Sequence, residues 1–148
     1  MHVDSFTRGR GRFNAAPYRP AAELPNDEYP FILMTGRMLY HYNNGAMTRR
    51  SRELTAIENA SYIEVNEDDA TRLNIAQGQR VRVTSRRGQV ETVARVGTRV
   101  RAGQTWMPFH FPDADPNWLT NAALDEFAHI PEYKVCAIKV EPVERRRS

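Results

Sequence analysis

Lysine is almost missing from this 148-residue sequence: of 21 basic residues only Lys134 and Lys139 are lysine, and the rest are arginine. Arginine's planar fork favours bidentate recognition of phosphate and carboxylate over simple solubility, although a genomic bias toward arginine codons leaves the same mark. Cysteine is scarcer still. Cys136 stands alone, which excludes an internal disulfide, a zinc ribbon and a cysteine-ligated iron–sulfur cluster within this chain. It lies in the alternating run VCAIKV, so a buried structural thiol is expected rather than a nucleophile. No apolar stretch approaches the roughly 20 residues of a membrane span. The N-terminus, MHVDSFTRGRGRF, lacks the apolar region of a secretory signal, so no membrane association is expected and cytoplasmic residence is the default.

Several catalytic patterns are also missing. There is no HxxxH or CxxC spacing for a metal, no GxxxxGK[ST], and no GxGxxG after a strand. The histidines are His2, His41, His110 and His129, and none accompanies a nucleophile elbow. His110 in HFPDAD and His129 in FAHIPE have carboxylates nearby, but no paired ligands. Ligand binding is therefore better supported than catalysis.

What is present suits one soluble domain with a real core: 41% hydrophobic and 26% charged residues, with a net charge of +3. A pI near 9.3 keeps nucleic acid among the partners to consider. Residues 1–30 form a basic lead-in that Pro17, Pro20, Pro25 and Pro30 keep extended, as suits a segment running over another surface. Within it Arg8, Arg10 and Arg12 read either as a short RNA-binding arm or as the flanks of a turn at Gly9–Gly11.

Phe31–Met34 reads as a buried strand, and SYIEV (61–65) as an alternating one. Asn66 or Glu67 opens a short helix over Asp68–Leu73, whose acidic first turn suits the helix dipole. RVRVTS (80–85) and QVETVARV (89–96), joined by Arg86–Gly88, form the clearest hairpin. TWMPFHF (105–111) is a further strand in which Pro108 marks an end or an edge. An irregular stretch, Pro112–Pro131, with a helical turn near Leu119–Leu124, leads to a last strand at Val135–Val140. Residues 31–142 thus read as a mostly-β barrel with small helices, followed by a charged tail over 143–148.

The functional signal concentrates in Thr35–Ser51, TGRMLYHYNNGAMTRRS. Arg37, His41, Asn43, Asn44, Thr48, Arg49, Arg50 and Ser51 crowd donors into a loop with no acidic residue. Such a loop suits an anionic ligand of the phosphate-plus-heterocycle kind, or is simply a solvated basic loop.

Four segments occur in order: TGRxxxHxxxxxMTRRS, NEDDATRLNIAQGQRVRVTSRRGQV, HFPDADPNWLT and PEYKV. Together they resemble the C-terminal molybdopterin-dinucleotide-binding domain of the molybdenum and tungsten oxidoreductases, the dimethyl-sulfoxide-reductase superfamily, and within it the formate dehydrogenases. The resemblance runs from about Phe6 to Pro142. It implies a double-psi β-barrel whose rim binds molybdopterin guanine dinucleotide (bis-MGD), with Mo or W held by upstream domains. It implies that Thr35, Gly36 and Arg37 line the cofactor's path. His41, Asn44, Met47, Thr48 and Arg49 would approach its pterin or pyrophosphate. His110 and Phe111 would open a second cofactor-facing loop. Asn117 matches the family's Asn-x-Leu-Thr, and Tyr133 and Lys134 match its Tyr-Lys pair.

Asn44-Gly45-Ala46 departs from the family's frequent Thr-Gly-Ser or Thr-Gly-Thr, removing a hydroxyl at Ala46, and Pro116 replaces the alanine usually found before the Asn117 motif. The metal-ligating cysteine or selenocysteine, the catalytic His and Arg, and the iron–sulfur cluster of such dehydrogenases belong upstream. The resemblance thus implies a cofactor-binding domain or subunit that does not oxidise formate alone and that partners the catalytic, iron–sulfur part of the enzyme. Two alternatives differ in kind. One is a basic barrel binding nucleic acid, which the loop's lack of spaced stacking aromatics disfavours. The other is a structural barrel with a degenerate cofactor site.

Overall fold

Apolar residues at every second position let one twisted sheet close around its own side chains. The computed structural model describes residues 3–144. His2 and residues 145–148 of the charged tail lie outside the described residues. The strands are β1 (Phe31–Gly36), β2 (Tyr62–Asn66), β3 (Arg80–Thr84), β4 (Gln89–Gly97), β5 (Gln104–Pro108) and β6 (Val135–Pro142). They close in the order β1-β5-β2-β4-β3-β6. Two parallel pairs, β1 with β5 and β2 with β4, interlock with antiparallel neighbours as a double-psi β-barrel.

The interior is filled by Phe31 and Leu33 of β1, Ile63 and Val65 of β2, Val81 and Val83 of β3, Met107 of β5 and Ile138 of β6. The hairpin forms where the sequence places it, Ser85 N–H donating to the Gly88 carbonyl at 2.9 Å. Helix α2 (Glu67–Arg72) begins at Asn66, whose side chain accepts from Asp68 N–H at 3.0 Å and donates to the Val100 carbonyl at 2.9 Å.

Three expectations are corrected. The strand expected over 105–111 stops at Pro108, which marks a strand end, one of its two readings, opposite Gly36 in a closed barrel. The helical turn expected near Leu119–Leu124 falls earlier, as 3-10 turns at Pro112–Ala114 and Pro116–Trp118, because each proline pre-sets the first helical residue. The N-terminal turn spans Phe6–Gly9 rather than Gly9–Gly11, since Gly9 takes the positive φ of 85° that closes it. A helix without an expectation, α1 (Arg52–Ile57), follows the basic loop and is capped by the Ser51 hydroxyl, which accepts from Leu54 N–H at 3.3 Å.

Among the described residues no helix is long and apolar enough to cross a membrane. Cys136 is buried, and burial pushes its thiol up to about 11. Against the ordinary thiol value of 9.0, alkylation at pH 8 should be about a hundredfold slower in the folded chain than in urea. Comparable rates in a timed iodoacetamide reaction would contradict this.

Candidate functional site

Where β1 ends, small residues let two loops approach closely. Thr35 is buried, its hydroxyl donating to the Tyr133 carbonyl at 2.7 Å and its N–H to the Lys134 carbonyl at 3.3 Å. At Gly36 a Cβ would stand 2.6 Å from Trp106 Nε1, so any side chain there would have to displace the indole. The Gly36 carbonyl then accepts from Phe109 N–H at 3.3 Å, bringing the β5 exit alongside. The two motifs, TGR and HF, meet here.

The segment Phe109–His110–Phe111 is the hub. His110 is fully buried: Nε2 accepts from Met38 N–H at 2.8 Å, while Nδ1 donates to the Asn43 carbonyl. With one ring nitrogen accepting and the other donating, the imidazole is neutral. Burial lowers its pKa, and the His41 and Arg37 charges push in the same direction against the pull of the Asn43 carbonyl. His110 thus pins both ends of the loop that follows Arg37.

His41 is also buried, its Nε2 donating to the Glu58 carbonyl at 2.8 Å and its Nδ1 lying 3.1 Å from the Thr48 hydroxyl. That hydroxyl also accepts from Tyr42 N–H at 3.1 Å. The polar atoms of His41 and Thr48 are therefore spent on the loop's own architecture. At Gly45, φ is 72° and a Cβ would meet the His110 carbonyl at 2.9 Å. Asn44 closes the same turn, its side-chain oxygen accepting from Ala46 N–H at 3.1 Å and its amide N–H groups having no partner among the described residues. Gly45→Ala is expected to destabilise the chain by about 1–3 kcal/mol, because the obstructing atom is backbone and cannot rotate away. An unchanged urea midpoint would contradict it.

Around this frame the exposed donors converge. Arg37 lies 5.5 Å from the Phe109 ring centre and Lys134 6.0 Å from the same ring, while the Tyr133 ring meets Phe109 edge-on at 6.2 Å. Arg49 lies 5.9 Å from Phe111, whose ring also meets His41 edge-on at 5.4 Å. Among the described residues none of Arg37, Arg49 and Lys134 forms an ion pair; Arg37 is steadied instead by the neutral Asn43 amide oxygen, at 2.9 and 2.7 Å. Met47 stands exposed at the start of a 3-10 turn, Thr48–Arg50. Asn117 lies in the turn Pro116–Trp118, its backbone N–H held by Asp115 at 2.9 Å and its side chain exposed. Among the described residues no cluster of three or more His, Cys, Asp and Glu is placed to hold a metal.

Sequence reasoning missed Phe109, the ring on which two of the cations converge, although it directly precedes His110. It also missed a cleft of about 570 Å³ on the outer face of the barrel, lined by Met34, Met38, Tyr62, Arg95 and Trp106 and opening beside Arg37. In it Arg95 stacks 3.5 Å from the Tyr62 ring centre and binds both Glu58 oxygens, at 3.1 and 3.0 Å. An alternating strand position gives no hint of this, since the partners come from elsewhere in the chain.

Comparison with known families matches residues 31–137 to the Molydopterin dinucleotide binding domain. The chain belongs to that family. As a molybdopterin-dinucleotide-binding domain it is 49% identical over 145 residues to the alpha subunit of the F420-dependent formate dehydrogenase of Methanocaldococcus jannaschii, covering 97% of this chain and 22% of that protein. It is 44% identical over 145 residues to the alpha subunit of F420-dependent formate dehydrogenase 2 of Methanococcus maripaludis, covering 97% and 21%. A nitrate reductase of Symbiobacterium thermophilum is 44% identical over 137 residues, covering 90% and 18%. The chain thus spans about a fifth of the length of the curated relatives it matches. Among solved structures, acetylene hydratase from Pelobacter acetylenicus shares the fold with a TM-score of 0.67 at 15% identity, over 78% of this chain and 19% of that one.

Proposed function

We propose that this domain holds one or both guanine dinucleotides of a molybdenum or tungsten cofactor against the rim built on Phe109–Phe111, as part of a formate-dehydrogenase-like oxidoreductase. The convergence of three cations, without carboxylate partners among the described residues, on two neighbouring rings carries this reading. The donor set fits the ligand: arginine and lysine for pyrophosphate, and the Asn44 and Asn117 amides for a pterin or purine edge. When bound, the cofactor would supply two-electron redox chemistry at its metal, and the parent reaction would convert formate to carbon dioxide, a proton and two electrons.

This chain's residues would bind and orient. Arg37, Arg49 and Lys134 would neutralise phosphate charge. The buried His41 and His110 and the half-buried Thr48 would keep the donor loop in place without touching the ligand. Gly36 and Gly45 let the backbone come close enough to form a wall. The other four-fifths of a relative's length would contribute the catalytic and iron–sulfur part, and the arm would lie against it with the residues ahead of Ala22, where it joins the barrel. Exposed Phe13 and Tyr18 on that arm, and Leu39 on the rim, suit such a partner.

The test is co-expression with the neighbouring coding sequence, followed by acid release of guanine nucleotide and metal analysis. Guanine nucleotide co-purifying with molybdenum or tungsten is expected. A nucleotide-free complex that binds single-stranded RNA with a steep salt dependence would overturn the reading in favour of nucleic acid.

A further inference from the structure

The N-terminal arm touches the barrel at a point the cofactor reading does not use. Ala22 N–H donates to both carboxylate oxygens of Glu132, at 3.3 and 3.0 Å. The Glu23 carboxylate accepts from Ala137 N–H at 2.7 Å and from two nitrogens of Arg87, Nη2 at 3.0 Å and Nη1. The last β3–β6 pair is Thr84 with Lys139, so Glu23 supplies an acceptor where β3 has ended.

Both contacts lead to the two remaining cofactor-facing loops. Arg87 also donates, through Nε and Nη2, to the Leu119 carbonyl at 3.2 and 2.7 Å, two residues beyond Asn117. Beside it Gly88 lies so close to that turn that a Cβ would stand 3.0 Å from the Trp118 carbonyl. Glu132, which immediately precedes Tyr133 and Lys134, also accepts from Asn121 Nδ2 at 3.0 Å. Asn121 in turn donates to the Val135 carbonyl at 3.0 Å. One arm dipeptide is therefore bonded to the supports of both loops, and Glu23 is well shielded, its side chain only 13% exposed.

We infer that Ala22 and Glu23 form a clip that, through Arg87 and Glu132, positions the Asn117 turn and the Tyr133–Lys134 loop. Glu23, Arg87 and Glu132 are positioning residues: they act on the rim through the backbone and Asn121, not on the ligand. The purpose of the clip rests on the cofactor reading; its existence does not.

The experiment is hydrogen exchange by mass spectrometry on the complete enzyme carrying this chain, with wild type, Glu23→Gln, Arg87→Lys and Glu132→Ala. Glu132 is half-buried and, unlike Glu23, makes no ion pair among the described residues, so its variant keeps the test informative if a Glu23 variant folds poorly. Exchange at residues 116–122 and 131–135 should rise roughly tenfold while β1, β4 and β5 stay protected. Arg87→Lys should behave like Glu23→Gln, because a lysine keeps the charge but cannot hold Glu23 and Leu119 together. Faster exchange confined to residues 12–24, faster exchange throughout the barrel, or a silent Arg87→Lys would each overturn the clip. Loops that loosen while bound guanine nucleotide dissociates at the wild-type rate would leave the clip standing and count against the cofactor reading.

Discussion

Replacing His110 with leucine should lower the stability of the folded chain by about 2–4 kcal/mol, although the volume of the site hardly changes. The imidazole is the partner of Met38 N–H and of the Asn43 carbonyl, and leucine leaves both without one. Each such group costs about 1–3 kcal/mol when buried, and Met38 and Asn43 are only part-buried, which keeps the sum toward the lower end. Urea unfolding at neutral pH measures this directly. The wild type should also weaken on acidification. His110 is neutral when folded and its pKa is lowered from the ordinary 6.5, so the unfolded chain binds the proton more readily. The stability it contributes is complete above about pH 6.5 and falls as pH drops through that value toward the folded pKa. His110→Leu should remove this part of the acid sensitivity. A variant with the wild-type urea midpoint and the wild-type slope between pH 7.5 and 5.5 would show that the rim does not depend on His110.

The second large effect is expected on the ligand rather than the fold. Arg37 and Lys134 share the Phe109 ring and form no ion pair among the described residues, so the double substitution to alanine removes charge that the barrel does not need. A charge-assisted hydrogen bond contributes about 1.5–3 kcal/mol, so each substitution should weaken nucleotide retention by roughly 10- to 150-fold. Guanine nucleotide and metal content of the purified complex should fall together, while the unfolding free energy from urea titration stays within about 0.5 kcal/mol of wild type. Asn117→Ala should act in the same direction but less strongly, as a neutral amide does. Complexes that assemble normally and keep full nucleotide and metal content would favour a structural barrel with a degenerate site. Arg37→Lys is expected to rescue poorly, because an ammonium cannot reproduce the fork that now grips Asn43 with two nitrogens.

The two histidines illustrate how far residue type alone reaches. The spacing TGRxxxH and the pair His110–Phe111 pointed to two loops, and the structure brings those loops together. In isolation, a histidine in a basic loop reads as a contact for an anion. The structure shows His41 and His110 facing each other at 5.8 Å, buried, with every ring nitrogen engaged by the chain itself. Nothing local distinguishes a histidine that binds from one that braces, because the difference lies in which backbone groups a distant segment delivers to it.

Several features were legible in sequence because their cause is local. Alternation of apolar residues over 61–65, 80–85, 89–96 and 135–140 set out strands of the barrel. Arg86–Gly88 marked the hairpin, Asn66 or Glu67 the start of α2, and the isolation of Cys136 in an apolar run its burial. The ordered motifs named the family, which the match over residues 31–137 establishes. The parallel pairing of β1 with β5 joins residues about 70 positions apart and has no local signature, since parallel strands need a long crossover. For the same reason only the folded chain shows Phe109 as the shared ring, Arg95 stacked on Tyr62, and Glu23 gripping Arg87 across the barrel wall. Alternation, turn chemistry and capping are decided within a few residues, so the sequence carries them openly. Which donors remain unpaired, and on which ring they meet, is decided by long-range closure of the barrel.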